Sequence, residues 1–208
     1  MIISHQHKFI FIAVPKTATH AIRFALRPKM APNDWEQVEL FHHSRLPFDS
    51  FTSVKHGHQT AQEAKEIISA KSWESYLKFA FVRNPYDRCI SAALLKHKNR
   101  NEFSHHHTTA KLKLLVSSFA HKCDLIYRPQ SHFVCNEKGE SMLDIVAPYE
   151  DLQESFNQIC RKIGVEPLQL EFRNSNNNAA YASYYDDELK EMVYDFYKED
   201  FTNFNYLK

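Results

Sequence analysis

Seven side chains in this sequence have types and spacings that suit joint chemistry: Lys16, Thr17, Thr19, His56, His58, Arg83 and Ser91. Lys16 and the two threonines stand in the stretch Pro15-Lys16-Thr17-Ala18-Thr19. It follows the apolar run Phe9–Val14 and precedes a segment in which Ala18, Ala21, Ile22 and Ala25 recur at i, i+3, i+4 and i+7. That pattern reads as strand, loop and helix. Such a turn aims unpaired backbone amides and the positive end of the helix dipole at one point, where an anion is held. Lysine adds charge there, and the threonine hydroxyls add donors. The nucleoside-triphosphatase P-loop, G-x-x-x-x-G-K-[ST], uses glycines to wrap the backbone around a phosphate. Here Phe11 to Pro15 precede the lysine, and the whole chain has three glycines, at 57, 139 and 164. Taken alone, Lys16 is equally a solvated lysine on an ordinary βα turn.

A second stretch repeats the pattern. Lys78–Val82 is a short apolar strand with Arg83 at its C-terminal end, Asn84 as helix N-cap and Pro85 at the first helical position. Ser91 lies seven residues beyond Asn84, close to two full turns, and so projects on the side of the cap. Arg83 and Ser91 can then converge on one phosphate, the guanidinium as a fork and the serine as a further donor. The competing reading pairs Arg83 with Asp87 and leaves Ser91 as a small packing residue. Two such turns side by side, beyond the carboxyl ends of strands in a parallel sheet, suit a ligand with two separated phosphates. His56 and His58 fall between a short predicted strand, Thr52–Lys55, and a helix opened by the Thr60/Glu63 capping box with Ala61, Ala64, Ile67 and Ile68 as its buried stripe. A nearby helix N-terminus disfavours imidazolium and keeps a histidine neutral, as a general base must be. With 13 histidines in the chain, most have no catalytic duty.

The elements that position these groups are bounded by composition. The chain has 208 residues and a formal charge of +1, which suits one domain over 1–208 with a substantial core and gives no bulk attraction to nucleic acid. Phe9–Val14, the longest apolar run, is too short to span a bilayer and lacks a signal cleavage site, so a cytoplasmic location is expected. The four cysteines have no C-x-x-C spacing, so no zinc site is expected and the thiols read as free and buried. His105-His106-His107 cannot all face one ion on a regular element. Pro28–Phe51 reads as a partly ordered excursion rather than a linker, and Leu112–Phe119 as a helix. Arg128–Cys135 reads as loop and strand, turning through Asn136–Gly139 into a hairpin with Met142–Val146. A helix from about Glu150 is closed by Gly164, Phe172–Ala180 is a loop, and a last helix runs from about Ser183 to Lys198.

The stretches P-K-T-A-T-H-A and F-V-R-N-P-Y-D-R-C-I-S-A-A closely resemble the 5′-phosphosulfate and 3′-phosphate loops of sulfotransferases that use 3′-phosphoadenosine 5′-phosphosulfate (PAPS). His56-Gly57-His58 resembles the H-G-H of uronyl and heparan 2-O-sulfotransferases, in which the second histidine is the base. Arg128–Phe133, Tyr149–Leu152 and Tyr181–Leu189 resemble later pieces of the carbohydrate sulfotransferase branch, in the same order. The resemblance spans nearly the whole chain. It implies an α/β fold, P-loop-NTPase-like and three-layered, with a central mostly parallel sheet flanked by helices. It also implies PAPS as cosubstrate, 3′-phosphoadenosine 5′-phosphate (PAP) as product, and a hydroxyl acceptor of saccharide type. By resemblance, Pro15, Lys16, Thr17, Ala18, Thr19 and His20 bind the 5′-phosphosulfate, Arg83 and Ser91 the 3′-phosphate, and Arg173 and Asn174 the nucleotide. His58 and Lys16 are the catalytic pair. The first loop departs from the family, which carries two or three hydroxyl residues after lysine-threonine where this chain has Thr19, His20 and Ala21. Two other readings are a nucleotide kinase of related fold, against which the missing glycines argue, and a nucleotide-binding protein without catalysis.

Overall fold

The computed structural model describes residues 1–38, 43–44, 56–96, 109, 113, 116, 125–171 and 178–208. Strands β1 (Ile2–Ser4), β2 (Phe9–Ile12), β3 (Trp35–Val38), β4 (His43–Ser44), β5 (Leu77–Val82) and β6 (Ile145–Pro148) form one sheet, ordered β4-β3-β1-β2-β5-β6. Its core is parallel, β2 beside β5 and β5 beside β6, whereas β1, β3 and β4 extend it in antiparallel fashion. Helices α1 (Thr19–Leu26), α2 (Ala61–Ile67), α3 (Ala70–Ser75), α4 (Pro85–Lys96), α5 (Ser131–Val134), α6 (Leu152–Lys162), α7 (Asp187–Phe196) and α8 (Lys198–Asn203) surround it. The α/β fold with a flanked, parallel-cored sheet is thus as the sequence led us to expect.

The run Phe9–Val14 is apolar throughout because its strand is covered on both faces. Phe9, Phe11 and Ala13 join Phe79, Phe81, Ile22, Leu26, Phe156 and Ile159 in one core, beneath α1 and α6. Ile10, Ile12 and Val14 alternate into the other, with Ala80, Ala61, Ala64 and Phe133, beneath α2 and α5. A third cluster joins α4 to α7 and α8 through Cys89, Ile90, Leu189, Val193 and Phe201. The helix ends follow local chemistry. Thr60 and Glu63 form both halves of the capping box on α2, the Asn84 side chain accepts from the Tyr86 amide at 2.9 Å, and Gly164 turns the chain after α6 at φ 71°.

Three expectations are corrected. The hairpin over 128–146 is absent: Ser131–Val134 is a turn of helix, a lone bridge between Cys135 and Ser141 is what pairs there, and β6 instead lies parallel to β5, with Phe79 opposite Ile145. Two strands alone make a marginal hairpin, whereas a place beside a central strand buries both faces. The excursion after α1 contributes β3 and β4, and β1 precedes them, none of which the sequence pattern announced. The last helix begins at Asp187, capped by Asp186, and a separate helix α8 follows it. The predicted strand Thr52–Lys55, most of the helix 112–119, the three consecutive histidines and residues 172–177 lie outside the described residues. Cys89 and Cys160 are buried free thiols, while Cys135 is half-buried. Among the described residues, no group could hold a metal ion and no helix is long and apolar enough to cross a membrane.

Candidate active site

The first loop joins β2 to α1, and it is strained. Lys16 and Ala18 adopt left-handed backbone conformations, at φ 70° and 60°, without being glycine. Each such residue costs roughly 1–2 kcal/mol, and strain of this kind persists where the surroundings over-determine it. Left-handed residues interleaved with ordinary ones turn backbone N–H groups toward one side, the geometry of an anion-binding concavity. The loop therefore reaches by strain what glycines give a P-loop freely. Thr17 is fully buried, and its hydroxyl donates to the Val14 carbonyl at 2.9 Å. That hydroxyl proton is directed into the loop itself, onto the carbonyl three residues earlier. Thr19 is buried at the start of α1. His20, next on that helix, has its pKa lowered by partial burial and by the charges of Arg23, Lys16 and Arg27.

His58 is tied to the end of β2. Its Nδ1 lies 2.6 Å from the Ala13 carbonyl oxygen, which can only accept, so Nδ1 carries the proton and Nε2 is left as the basic nitrogen. His56 has the opposite polarity, because its Nδ1 accepts from the His58 amide at 3.3 Å. Burial, with smaller contributions from the Arg23 charge and other neighbouring groups, lowers the His58 pKa to about 3, against the partial support of its bond to Ala13. The neutral state expected from a helix terminus is present, but desolvation is its main cause. Gly57 makes this packing possible: a Cβ there would stand 2.4 Å from the Gln37 carbonyl and 2.6 Å from Arg23 Nη2. The buried Arg23 guanidinium donates to Gly57 O at 2.5 Å and to Gln37 O at 3.3 Å, so helix α1 holds the His-Gly-His turn directly.

The second loop joins β5 to α4. Arg83 is almost wholly buried; its Nε donates to Asp87 at 2.6 Å, its Nη1 to the Lys16 carbonyl at 3.3 Å, and Tyr149 lies under the guanidinium at 4.3 Å. The Arg83–Asp87 pair that the sequence set against the phosphate reading is thus present, and it aims the guanidinium at the first loop. Desolvation raises the Asp87 pKa, opposed by Arg83. The Asn84 amide is taken by Glu150 at 2.8 Å, so this helix start already has an anion of its own. Ser91 is half-buried on α4. Beside the loop a cavity of about 570 Å³ is bordered by Asn84, Asp87, Tyr149, Glu150 and Tyr181. The structure brings Pro15–His20, His58 and Arg83 to one end of the parallel strands; Arg173 and Asn174 lie outside the described residues.

Four buried groups with structural control over these loops escaped the sequence reading. They are Arg23, Arg88, Gln130 and Asp200. Arg88 Nε donates to the Pro15 carbonyl at 3.0 Å and its Nη2 to Ile126 and Arg128 carbonyls at 3.1 and 2.9 Å. The Gln130 amide pairs with the backbone of Arg83, and Asp200 accepts from the amides of Gln130 and Ser131. Their partners lie far away in sequence; Arg88 and Gln130 fall inside stretches already marked by the family resemblance, but nothing local announced what they bond.

Two adjacent βα turns, one strained around a lysine and one built around a buried arginine, thus stand with His58, which is bonded to Ala13 and lies two residues before the Thr60 cap of α2. Residues 1–207 match the family described as "Sulfotransferase family", and the chain belongs to that family. It is 23% identical over 252 aligned positions to carbohydrate sulfotransferase 9 of Homo sapiens, an alignment covering 98% of this chain and 56% of that protein. The chain therefore spans about half the length of the curated relative it matches. A crystal structure of a sulfotransferase from Alicyclobacillus acidocaldarius superposes with a TM-score of 0.39 and 14% identity, covering 93% of this chain and 92% of that one, a likeness too loose to carry an argument.

Proposed function

We propose that this protein transfers the sulfuryl group of PAPS to a hydroxyl of a saccharide acceptor, as a single domain over residues 1–208. The observation that carries the reading is the His58 tautomer, with Nδ1–H fixed on the Ala13 carbonyl and Nε2 left to accept a proton beside the Lys16 loop. Membership of the sulfotransferase family supports the transfer chemistry, and the name of the human relative supports a carbohydrate acceptor.

The residues present fit an anionic nucleotide. The left-handed turn at Lys16 and Ala18 has the backbone form of an anion-binding loop, and the Arg83 guanidinium reaches it, with Nη1 donating to the Lys16 carbonyl at 3.3 Å. When bound, PAPS supplies an activated sulfuryl group on a phosphosulfate anhydride. Lys16 stabilises the charge that collects on the oxygen leaving with the 5′-phosphate. Arg83 and Ser91 hold the 3′-phosphate, and the family resemblance assigns Arg173 and Asn174 to the nucleotide as well. His58 Nε2 takes the proton of the acceptor hydroxyl as oxygen attacks sulfur. Burial keeps its basicity low, and an anionic nucleotide nearby raises it.

The test compares melting temperatures with PAP and with ATP plus magnesium. A ligand at a hundred times its dissociation constant stabilises by about 2.7 kcal/mol, an easily measured shift. Stabilisation by PAP alone supports the proposal; stabilisation by ATP with magnesium alone replaces it with the nucleotide kinase. PAP binding without acceptor-dependent consumption of PAPS would leave a nucleotide-binding protein, the reading that the altered first loop, with His20 and Ala21 after Thr19, supports.

A further inference from the structure

We infer that Gln130 is a positioning residue that sets the protein's preference for nucleotides carrying a second phosphate, by fixing the backbone of Arg83. The inference rests on the proposed role of Arg83 at the 3′-phosphate. Gln130 is fully buried and does not face the ligand side through its own amide. Its Oε1 accepts from the Arg83 N–H at 2.9 Å and its Nε2 donates to the Arg83 carbonyl at 2.8 Å. A side-chain amide that satisfies both backbone groups of one residue does for it what a neighbouring strand does inside a sheet, here where β5 ends. Gln130 is itself anchored: its amide and that of Ser131 each donate at 2.8 Å to one oxygen of Asp200, which is fully buried on α8.

The same short segment also governs the first loop. Arg88 bonds the carbonyls of Ile126 and Arg128 with one nitrogen and that of Pro15 with another. Residues 126–131 therefore hold one loop through Arg88 and the other through Gln130, and the distance between the two anion-handling turns depends on this brace. Arg83 has its backbone clamped by Gln130, its Nε held by Asp87 and its Nη1 on the Lys16 carbonyl, so the guanidinium is oriented before any ligand arrives. A ligand that needs only the first loop is indifferent to that aim. A ligand with two separated phosphates is not.

The experiment measures, by calorimetric titration of the full chain, the affinities for PAP and for adenosine 5′-monophosphate, which differ only in the 3′-phosphate. In Gln130→Met the preference for PAP falls about tenfold or more, the effect of a sub-ångström to one-ångström displacement of a positioned group, while adenosine 5′-monophosphate binds as before. Gln130→Glu keeps an acceptor for the Arg83 N–H but sets a carboxylate oxygen, which cannot donate, against the Arg83 carbonyl, and so lowers the preference as Gln130→Met does. An unchanged preference in Gln130→Met, or equal losses for both nucleotides, overturns the inference and leaves Gln130 a residue of general stability. Should Gln130→Met not fold, Asp200→Asn loosens the same anchor and is expected to lower the same ratio; an unchanged ratio there overturns the inference. A wild-type protein with no preference for PAP removes the 3′-phosphate role of Arg83, and this inference with it.

Discussion

The two βα turns follow neighbouring parallel strands, β2 and β5, yet they are built in opposite ways. The first is strained, with left-handed backbone at Lys16 and Ala18, and the carbonyls of Pro15 and Lys16 are held from outside by Arg88 and Arg83. The second is relaxed. It has an asparagine cap, a proline at the first helical position, and Gln130 and Glu150 satisfying its backbone. Support runs one way, from α8 through Gln130 to the second turn, and from the second turn and its helix to the first. The difference teaches that the strained turn is where chemistry is expected, while the braced turn is where affinity is expected.

The sharpest way to break that division is at His58, which belongs with the first turn. His58→Ala should lower acceptor-dependent turnover by about 10² to 10⁴ and leave the melting shift with PAP nearly intact. Equal turnover in the variant would move the base role elsewhere. Arg83→Ala should do the reverse, weakening PAP binding by roughly ten- to a hundredfold; a variant that binds PAP as wild type does would detach the second turn from the ligand.

The third prediction concerns pH. His58 has a folded pKa of about 3 against an ordinary value of 6.5. Between those values the unfolded chain holds a proton that the folded chain does not, so stability contributed by the neutral ring is complete above about pH 6.5 and is lost as pH falls toward 3. Melting temperatures from pH 7 down to 4 should fall less steeply in His58→Gln than in wild type; parallel profiles would show that the buried ring is not what titrates. The smallest effects compare the turns directly. Ala18→Gly relieves the left-handed conformation and should be neutral or stabilising by up to ~1 kcal/mol. Asn84→Ala loses a cap and should destabilise by ~1 kcal/mol. If both changes destabilise by similar amounts in denaturant titrations, the contrast between a strained and a relaxed turn fails.

What the sequence revealed was local. The capping box at Thr60 and Glu63, the Asn84-Pro85 helix start and Gly164 each act within a few residues of themselves, and each is where it was expected. The two strand–loop–helix units were legible for the same reason, through short continuous apolar runs, helical periodicity after the first and the Asn84-Pro85 start after the second. The parallel pairing of β6 with β5 was not, because Met142–Val146 has a nearer apparent partner and nothing local announces the distant one. Nor were Arg88 and Gln130, whose bonds to Pro15 and Arg83 cross 73 and 47 residues. Periodicity also hid the left-handed backbone at Lys16 and Ala18, since no glycine marks it.

The anchoring of Gln130 by Asp200 has a consequence for how the molecule is made. The bond closes a separation of 70 residues, the Tyr197–Tyr127 bond closes another of 70, and the bond from Tyr206 to the Val82 carbonyl closes 124. Contacts that distant form late, because the entropy of closing the loop comes before the contact rewards it. The parallel strands and the strained lysine turn are all encoded before residue 150, yet the arginine turn reaches its final form only when α8 docks. Ligand binding should therefore be the last property that a refolding chain regains, after its secondary structure and most of its core.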